Sequence, residues 1–176
     1  MLDTKHTKHI KLCCFDVDAT LTDGKYNVSS DGTLMKSFFT KDFYGLYLLI
    51  SRGVKVLIIS SSDDNVIIKR IHGLPSSFRK GIDVIINALD KKQEMNDYLS
   101  GFKHITWDNV AFIGDDLNDL ECIKLAGWTG CPADAVDEIK EEVNCLCESN
   151  GGCGAVREFI EDMIELDYIT FTEKEE

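Results

Sequence analysis

The sequence predicts an α/β fold in which a mainly parallel sheet lies in a three-layer sandwich between helices. Three observations carry this expectation. Short runs of β-prone residues alternate with helical stretches along most of the chain. The strongest runs are apolar throughout, as strands buried on both faces are. Two of them pass directly into clusters of carboxylates, at the strand ends where open parallel sheets bind ligands. At 176 residues the chain is long enough for one well-buried domain and short for two. Residues 1–176 are therefore expected to form a single domain with its core over about 10–166.

The first strand is expected over Lys11–Phe15, running straight into Asp16-Val17-Asp18-Ala19-Thr20-Leu21-Thr22. The stretch from Gly24 to Phe38 holds an Asp31-Gly32 pair flanked by β-prone residues and reads as a β-hairpin, a flap overhanging the end of that strand. It is too short to be a separate cap domain. Helices follow capping-type residues: Phe43–Ser51 after Asp42, Asn65–His72 after Asp63, Lys91–Leu99 after Asp90, and Asp119–Ala126 after Asn118. Between them lie strands over Val54–Ser60, Asp83–Ile86, Val110–Gly114 and Val143–Cys147. The last helix carries Val156, Phe159, Ile160, Met163 and Ile164 as an apolar stripe that belongs to a core or an interface. Thr172–Glu176 is a charged tail expected to fray.

Composition narrows the partners. With 31 acidic against 19 basic residues, the net charge of −12 argues against nucleic acid or an anionic membrane surface, and an anionic substrate would need a local cation. No apolar run reaches membrane-spanning length, and Met1–Lys11 lacks the apolar core of a signal peptide, so a cytoplasmic location is expected. Seven cysteines in apolar contexts fit reduced thiols better than a disulfide framework. A zinc site from Cys145, Cys147 and Cys153 is disfavoured, because a fourth ligand and the usual two-residue spacing are missing.

The chemistry concentrates at strand ends. Asp16 and Asp18 project together from the first strand, and two carboxylates so close in a low-dielectric pocket call for a cation or a split in protonation. The plainer alternative is that they cap the following turn. Ser60 ends the second strand with a hydroxyl able to donate to a phosphoryl oxygen. Lys91 or Lys92, at the start of a helix, offers a cation, or else both are solvated surface lysines. Gly114-Asp115-Asp116-Leu117-Asn118-Asp119 closes another buried strand with oxygen ligands suited to a hard ion such as Mg2+.

In this order the segments resemble the four motifs of the haloacid dehalogenase superfamily of phosphohydrolases, with Ala19 where the first motif commonly has glycine. The resemblance implies a Rossmann-like, haloacid dehalogenase-like fold. It also implies Mg2+ held by Asp16, the backbone carbonyl of Asp18 and Asp115, with Asp116 and Asp119 in support. The trailing Asp119 would either support the metal or position Lys91, which matches the third motif better than Lys92. Over roughly residues 10–166 the chain is similar to a capless branch, the phosphatases of 3-deoxy-manno-octulosonate 8-phosphate and of nine-carbon ulosonate 9-phosphates, and to the phosphatase-like C-terminal domain of acylneuraminate cytidylyltransferases. The hairpin, Lys41-Asp42-Phe43-Tyr44-Gly45, Cys131-Pro132-Ala133-Asp134-Ala135 and Gly151-Gly152-Cys153-Gly154-Ala155-Val156-Arg157-Glu158 carry that closer likeness.

The resemblance implies a Mg2+-dependent phosphatase acting on a phosphorylated 2-keto-3-deoxy sugar acid through an aspartyl phosphate on Asp16. It also implies a homotetramer in which the flap and the region near Arg157 close a neighbouring subunit's site, with Ser61, Ser62, Lys41 and Arg157 as substrate or closure residues. Ser61-Ser62 matches neither the Gly-Arg of octulosonate phosphatases nor the acidic residue of nonulosonate relatives, so the chain length of the sugar acid stays open. A catalytically weak oligomerisation module is the alternative. The motif residues Asp16, Asp18, Lys91, Asp115 and Asp119 are all present and no synthetase domain accompanies them, which favours activity.

Overall fold

The computed structural model describes residues 9–169; the charged tail lies outside the described residues. A six-stranded, wholly parallel sheet forms its centre. Its strands are β1 (Leu12–Phe15), β4 (Lys55–Ile59), β5 (Ile82–Ile85), β6 (Val110–Ile113), β7 (Trp128–Cys131) and β8 (Cys145–Leu146), in the order β5-β4-β1-β6-β7-β8. A separate antiparallel pair, β2 (Asn27–Val28) and β3 (Leu34–Met35), is the flap. The helices are α1 (Thr40–Ser51), α2 (Val66–His72), α3 (Ser76–Arg79), α4 (Lys91–Ser100), α5 (Leu120–Ile123), α6 (Asp137–Lys140) and α7 (Ala155–Glu165).

The sheet order explains where a site must form. The chain builds outward from β1 on one side through β4 and β5, then returns to build outward on the other side through β6, β7 and β8. The two halves diverge beyond the C-terminal end of β1, which opens a crevice there. Side-chain alternation sorts the core into two layers. Cys13 and Phe15 join α1, α2 and α7 through Phe43, Leu46, Ile67, Val156 and Phe159. Leu12 and Cys14 join α4, α5 and α6 through Met95, Leu99, Cys122 and Ile139. β1 is thus buried on both faces, which is why its sequence lacks polar alternation.

Several boundaries differ from the sequence reading. α1 begins at Thr40, and Asp42 is not its cap. The Asp42 carboxylate instead accepts the backbone N–H of Arg157 at 2.9 Å, and so caps α7, whose own N-terminal residue Gly154 has φ 116° and no side chain to offer. Asp64, not Asp63, accepts the Val66 N–H at the start of α2. Asp90 does cap α4, accepting from the Gln93 N–H. The helix expected from Asn118 starts earlier, as a 3-10 turn over Leu117–Asp119 capped by Asp116, followed by the short α5. β7, α3 and α6, each of four residues, were not read from the sequence.

Candidate active site

The crevice at the end of β1 is a cavity of about 210 Å3 lined by Asp16, Asp18, Ser60, Ser61, Ser62 and Asp115, with Ala19, Gly24, Asp116 and Asn118 completing its wall. Asp16 follows β1 directly, and its backbone N–H donates to the Ile113 carbonyl of β6, so the sheet itself fixes its position. The loop then turns sharply: Thr20, Leu21 and Thr22 all donate N–H groups to the Val17 carbonyl, and Ala19 takes φ 60°. That left-handed geometry is the one glycine would accept without strain, and alanine adopts it at a cost of about 1 kcal/mol.

The glycine-rich segment before α7 buttresses this loop. The N–H of Gly152 donates to the Thr20 carbonyl at 3.0 Å. A Cβ on Gly151 would lie 1.8 Å from the Ala19 carbonyl oxygen, and one on Gly152 would lie 2.5 Å from Thr22 backbone. Two backbones touch here, and a side chain on either glycine would push the catalytic loop away.

Lys91 enters from the first turn of α4 with its side chain fully buried and ion-pairs with Asp16 and with Asp119, the latter at 2.6 Å. Lys92 points to the surface and meets Glu121, so the structure brings Lys91 to the cluster. Asp119 is completely engaged: one oxygen takes Lys91, and the other accepts the Asp115 N–H at 3.1 Å. A Cβ on Gly114 would stand 2.4 Å from the Asp119 carboxylate, so the glycine makes room for it. Asp119 thus ion-pairs with Lys91, and it also stands in the carboxylate cluster with Asp16 and Asp115.

The remaining residues divide. Ser60 is buried and its hydroxyl accepts the Ser62 N–H at 3.1 Å, which leaves the hydroxyl proton free for a ligand. Ser61 donates to the Ala88 carbonyl and accepts from Asn118; Ser62 donates to Asp64. Asp116 spends its carboxylate capping the 3-10 turn. Lys41 and Arg157 are not brought to this cavity. They line a different one, beside Phe39 and Cys153, where Arg157 pairs with Glu161. Three participants were missed by sequence reading. Lys36, just past β3, ion-pairs with Asp18 at 2.7 Å and Asp64 at 2.6 Å. Tyr26 donates its hydroxyl to Asp18, and Thr20 donates to Asp115. Only the hairpin hinted at Lys36 and Tyr26, since no local spacing links the flap to Asp18; Thr20 lies within the first carboxylate segment itself.

The electrostatics are unbalanced toward negative charge. Burial, then the nearby Asp119 charge, pushes the Asp16 carboxyl well above the usual range, with Lys91 opposing. Burial, Asp119 and Asp116 raise Asp115 to about 7. Burial alone would favour a neutral Lys91, but Asp16 and Asp119 override it and hold the ammonium charged. One buried lysine does not neutralise three carboxylates, and oxygens of Asp16, Asp115 and Asp119 lie within 4.8 Å of one another. With Asp119 already bonded, Asp16 and Asp115 are the carboxylates open to an ion. An all-oxygen set with surplus negative charge fits a hard divalent cation. Among the described residues the thiols form no comparable cluster; six of the seven are buried and none is in a disulfide.

Comparison with known proteins places the chain in a family. A family model described as haloacid dehalogenase-like hydrolase matches residues 64–160. The chain is 34% identical over 165 residues to an N-acylneuraminate cytidylyltransferase of Oncorhynchus mykiss, covering 94% of this chain but 37% of that protein, so it spans about a third of the length of such relatives. It is 32% identical over 158 residues to the 3-deoxy-D-manno-octulosonate 8-phosphate phosphatase of Haemophilus influenzae, covering 89% of this chain and 83% of that one. The crystal structure of the corresponding phosphatase from Moraxella catarrhalis, solved with magnesium, phosphate and a KDO molecule, superposes with a TM-score of 0.82 at 30% identity, over 90% of this chain and 88% of that one.

Proposed function

The chain belongs to the haloacid dehalogenase-like hydrolases, and on that premise we propose that it is a Mg2+-dependent phosphatase of a phosphorylated 2-keto-3-deoxy sugar acid, with Asp16 as nucleophile. The phosphomonoesterase activity, the substrate, the ion and the residue roles are the reading advanced here. The observation that carries it is the buried Lys91 bridging Asp16 and Asp119 beside Asp115, at the ends of adjacent strands β1 and β6.

A carboxylate oxygen of Asp16 attacks phosphorus while the bond to the sugar oxygen breaks, and Asp18 gives that oxygen its proton. The product is an aspartyl phosphate and a free sugar alcohol. Asp18, now ionised, takes a proton from water, which attacks the aspartyl phosphate and releases inorganic phosphate with Asp16 regenerated. Lys91 and the Ser60 hydroxyl stabilise the charge on the phosphoryl oxygens. Mg2+ would be held by the side chains of Asp16 and Asp115 and the backbone carbonyl of Asp18, and would supply positive charge to the phosphoryl group.

The cavity of about 210 Å3 accommodates a phosphoryl group but not a whole sugar acid, for which pockets of roughly 300 Å3 and more are usual. The sugar must therefore be gripped above it. The flap, with Tyr26, Val28 and Met35 more than half exposed, offers apolar surface that a second copy would cover, which supports a homotetramer built from single domains of residues 1–176. Free thiols support a cytoplasmic setting. Among the described residues no helix is long and apolar enough to cross a membrane.

The second reading, a catalytically weak module, is favoured by the identity to the cytidylyltransferase. Phosphate release from a panel including eight- and nine-carbon ulosonate phosphates, with and without Mg2+, separates the two. Rapid Mg2+-dependent turnover of a sugar-acid phosphate is expected; no turnover of any ester would leave the module.

A further inference from the structure

We propose that Lys36, anchored by Asp64, is a positioning residue for Asp18 that decides which carboxylate oxygen faces the cleft. The proposal rests on the reading of Asp18 as the acid–base group. The flap that carries Lys36 is otherwise exposed, yet the Lys36 side chain is only 2% exposed. A buried ammonium persists where counter-charges compensate its lost hydration. It has two of them, Asp18 and Asp64, and the Tyr26 ring lies 4.4 Å away beneath it.

The two counter-charges are not equivalent. Asp64 is fixed on three sides: its carboxylate accepts the Ser62 hydroxyl at 2.5 Å and the Val66 N–H at 3.0 Å, in addition to Lys36. It is the anchor, tied to the start of α2. Asp18 has no comparable set of partners. Its Oδ1 is sealed from solvent with the Lys36 ammonium as its charged neighbour, an ion pair and not a directed hydrogen bond. Its Oδ2 accepts the Tyr26 hydroxyl at a long 3.2 Å. The side chain as a whole is 29% exposed, so Oδ2 is the accessible oxygen. Lys36 takes the inner oxygen and leaves the outer one, with its weak and replaceable partner, for proton exchange with the leaving group. Because these contacts lie within one chain, the flap shapes its own subunit's site whatever it does for a neighbour.

An acid–base role for Asp18 makes its aim matter most when the leaving group is basic. The test compares phenyl phosphate with 4-nitrophenyl phosphate, whose more acidic phenol departs with little help. Lys36→Met should lower kcat/KM, which reports formation of the aspartyl phosphate, by about tenfold or more for phenyl phosphate and by less than about threefold for 4-nitrophenyl phosphate. Asp64→Asn should give the same split, smaller, and serves if the first variant folds poorly by thermal melting. Equal losses of kcat/KM on both esters would overturn the proposal. Asp18→Asn, run in parallel, keeps the two ideas apart. If it loses phenyl phosphate turnover while Lys36→Met behaves as wild type, only the positioning role fails. If Asp18→Asn remains fully active, the acid–base reading fails and takes this proposal with it.

Discussion

The floor of the site and the flap above it both hold charge in place, but by different means. On the floor, Asp16 is set by a ladder hydrogen bond to β6, Asp119 by backbone amides and Lys91 by a packed helix, all inside a continuous core. The flap is two strands of two residues each, with no core of its own, and Lys36 is its charged link to Asp18 and Asp64. A charge held by sheet and helix backbone stays put when a neighbour changes. A charge held by one ammonium moves with it.

The largest expected effect lies on the floor. Asp16→Asn should reduce phosphate release on the order of a thousandfold or more while the melting temperature changes little, because the amide has nearly the same shape but is a poor nucleophile. Activity within tenfold of wild type would remove Asp16 from the nucleophile role. Next, Lys91→Met should destabilise by about 3–5 kcal/mol in urea unfolding, since it leaves Asp16 and Asp119 buried without their cation. Lys36→Met should cost about 1 kcal/mol, because Asp18 and Asp64 keep some contact with water. Similar costs for the two lysines would erase the contrast between floor and flap.

Asp115→Asn should raise the Mg2+ concentration for half-maximal activity by about tenfold or more. An unchanged titration would show that the Asp115 carboxylate is not a ligand.

Asp42 sharpens the comparison from a third place, the α1–α7 contact. Burial raises its carboxyl to about 6 from the ordinary 3.8. Between pH 4 and 6 the folded state therefore binds more protons than the unfolded one, so this group's contribution falls as pH rises through that window and stays low above it. Asp42→Asn keeps the acceptor for the Arg157 N–H without the charge. Its stability relative to wild type should grow by about 1–3 kcal/mol from pH 4 to pH 6.5. A pH-independent difference in unfolding free energy would refute this. Smallest of all, Val28→Ser and Met35→Ser should each change the stability of an isolated chain by less than about 0.5 kcal/mol, as exposed positions do. A larger loss that depends on protein concentration would show that a second copy covers the flap.

Much of the floor was legible in the sequence. The strand-then-carboxylate pattern at Phe15-Asp16 and Gly114-Asp115 reports burial and polarity in adjacent residues, and a strand has no other place to put them. Asp90 and the apolar stripe of α7 were equally readable, because capping and helical periodicity are local. Asp42 was misread for the same reason. Its position before an apolar run looks like a cap, but the helix it caps lies 115 residues away.

By itself the sequence determined the α/β alternation, the one strong hairpin signal and the identities of the residues that line the strand ends, since each follows from side-chain type and spacing along a few residues. Only the tertiary structure decided which lysine meets Asp16, that Gly151 and Gly152 press on the catalytic loop, that Arg157 and Lys41 stand apart from the cavity, and that Lys36 reaches Asp18. Those facts depend on segments distant in the chain meeting in space. A charge or a missing Cβ acts on whatever lies within a few ångströms, and linear spacing carries no record of that distance.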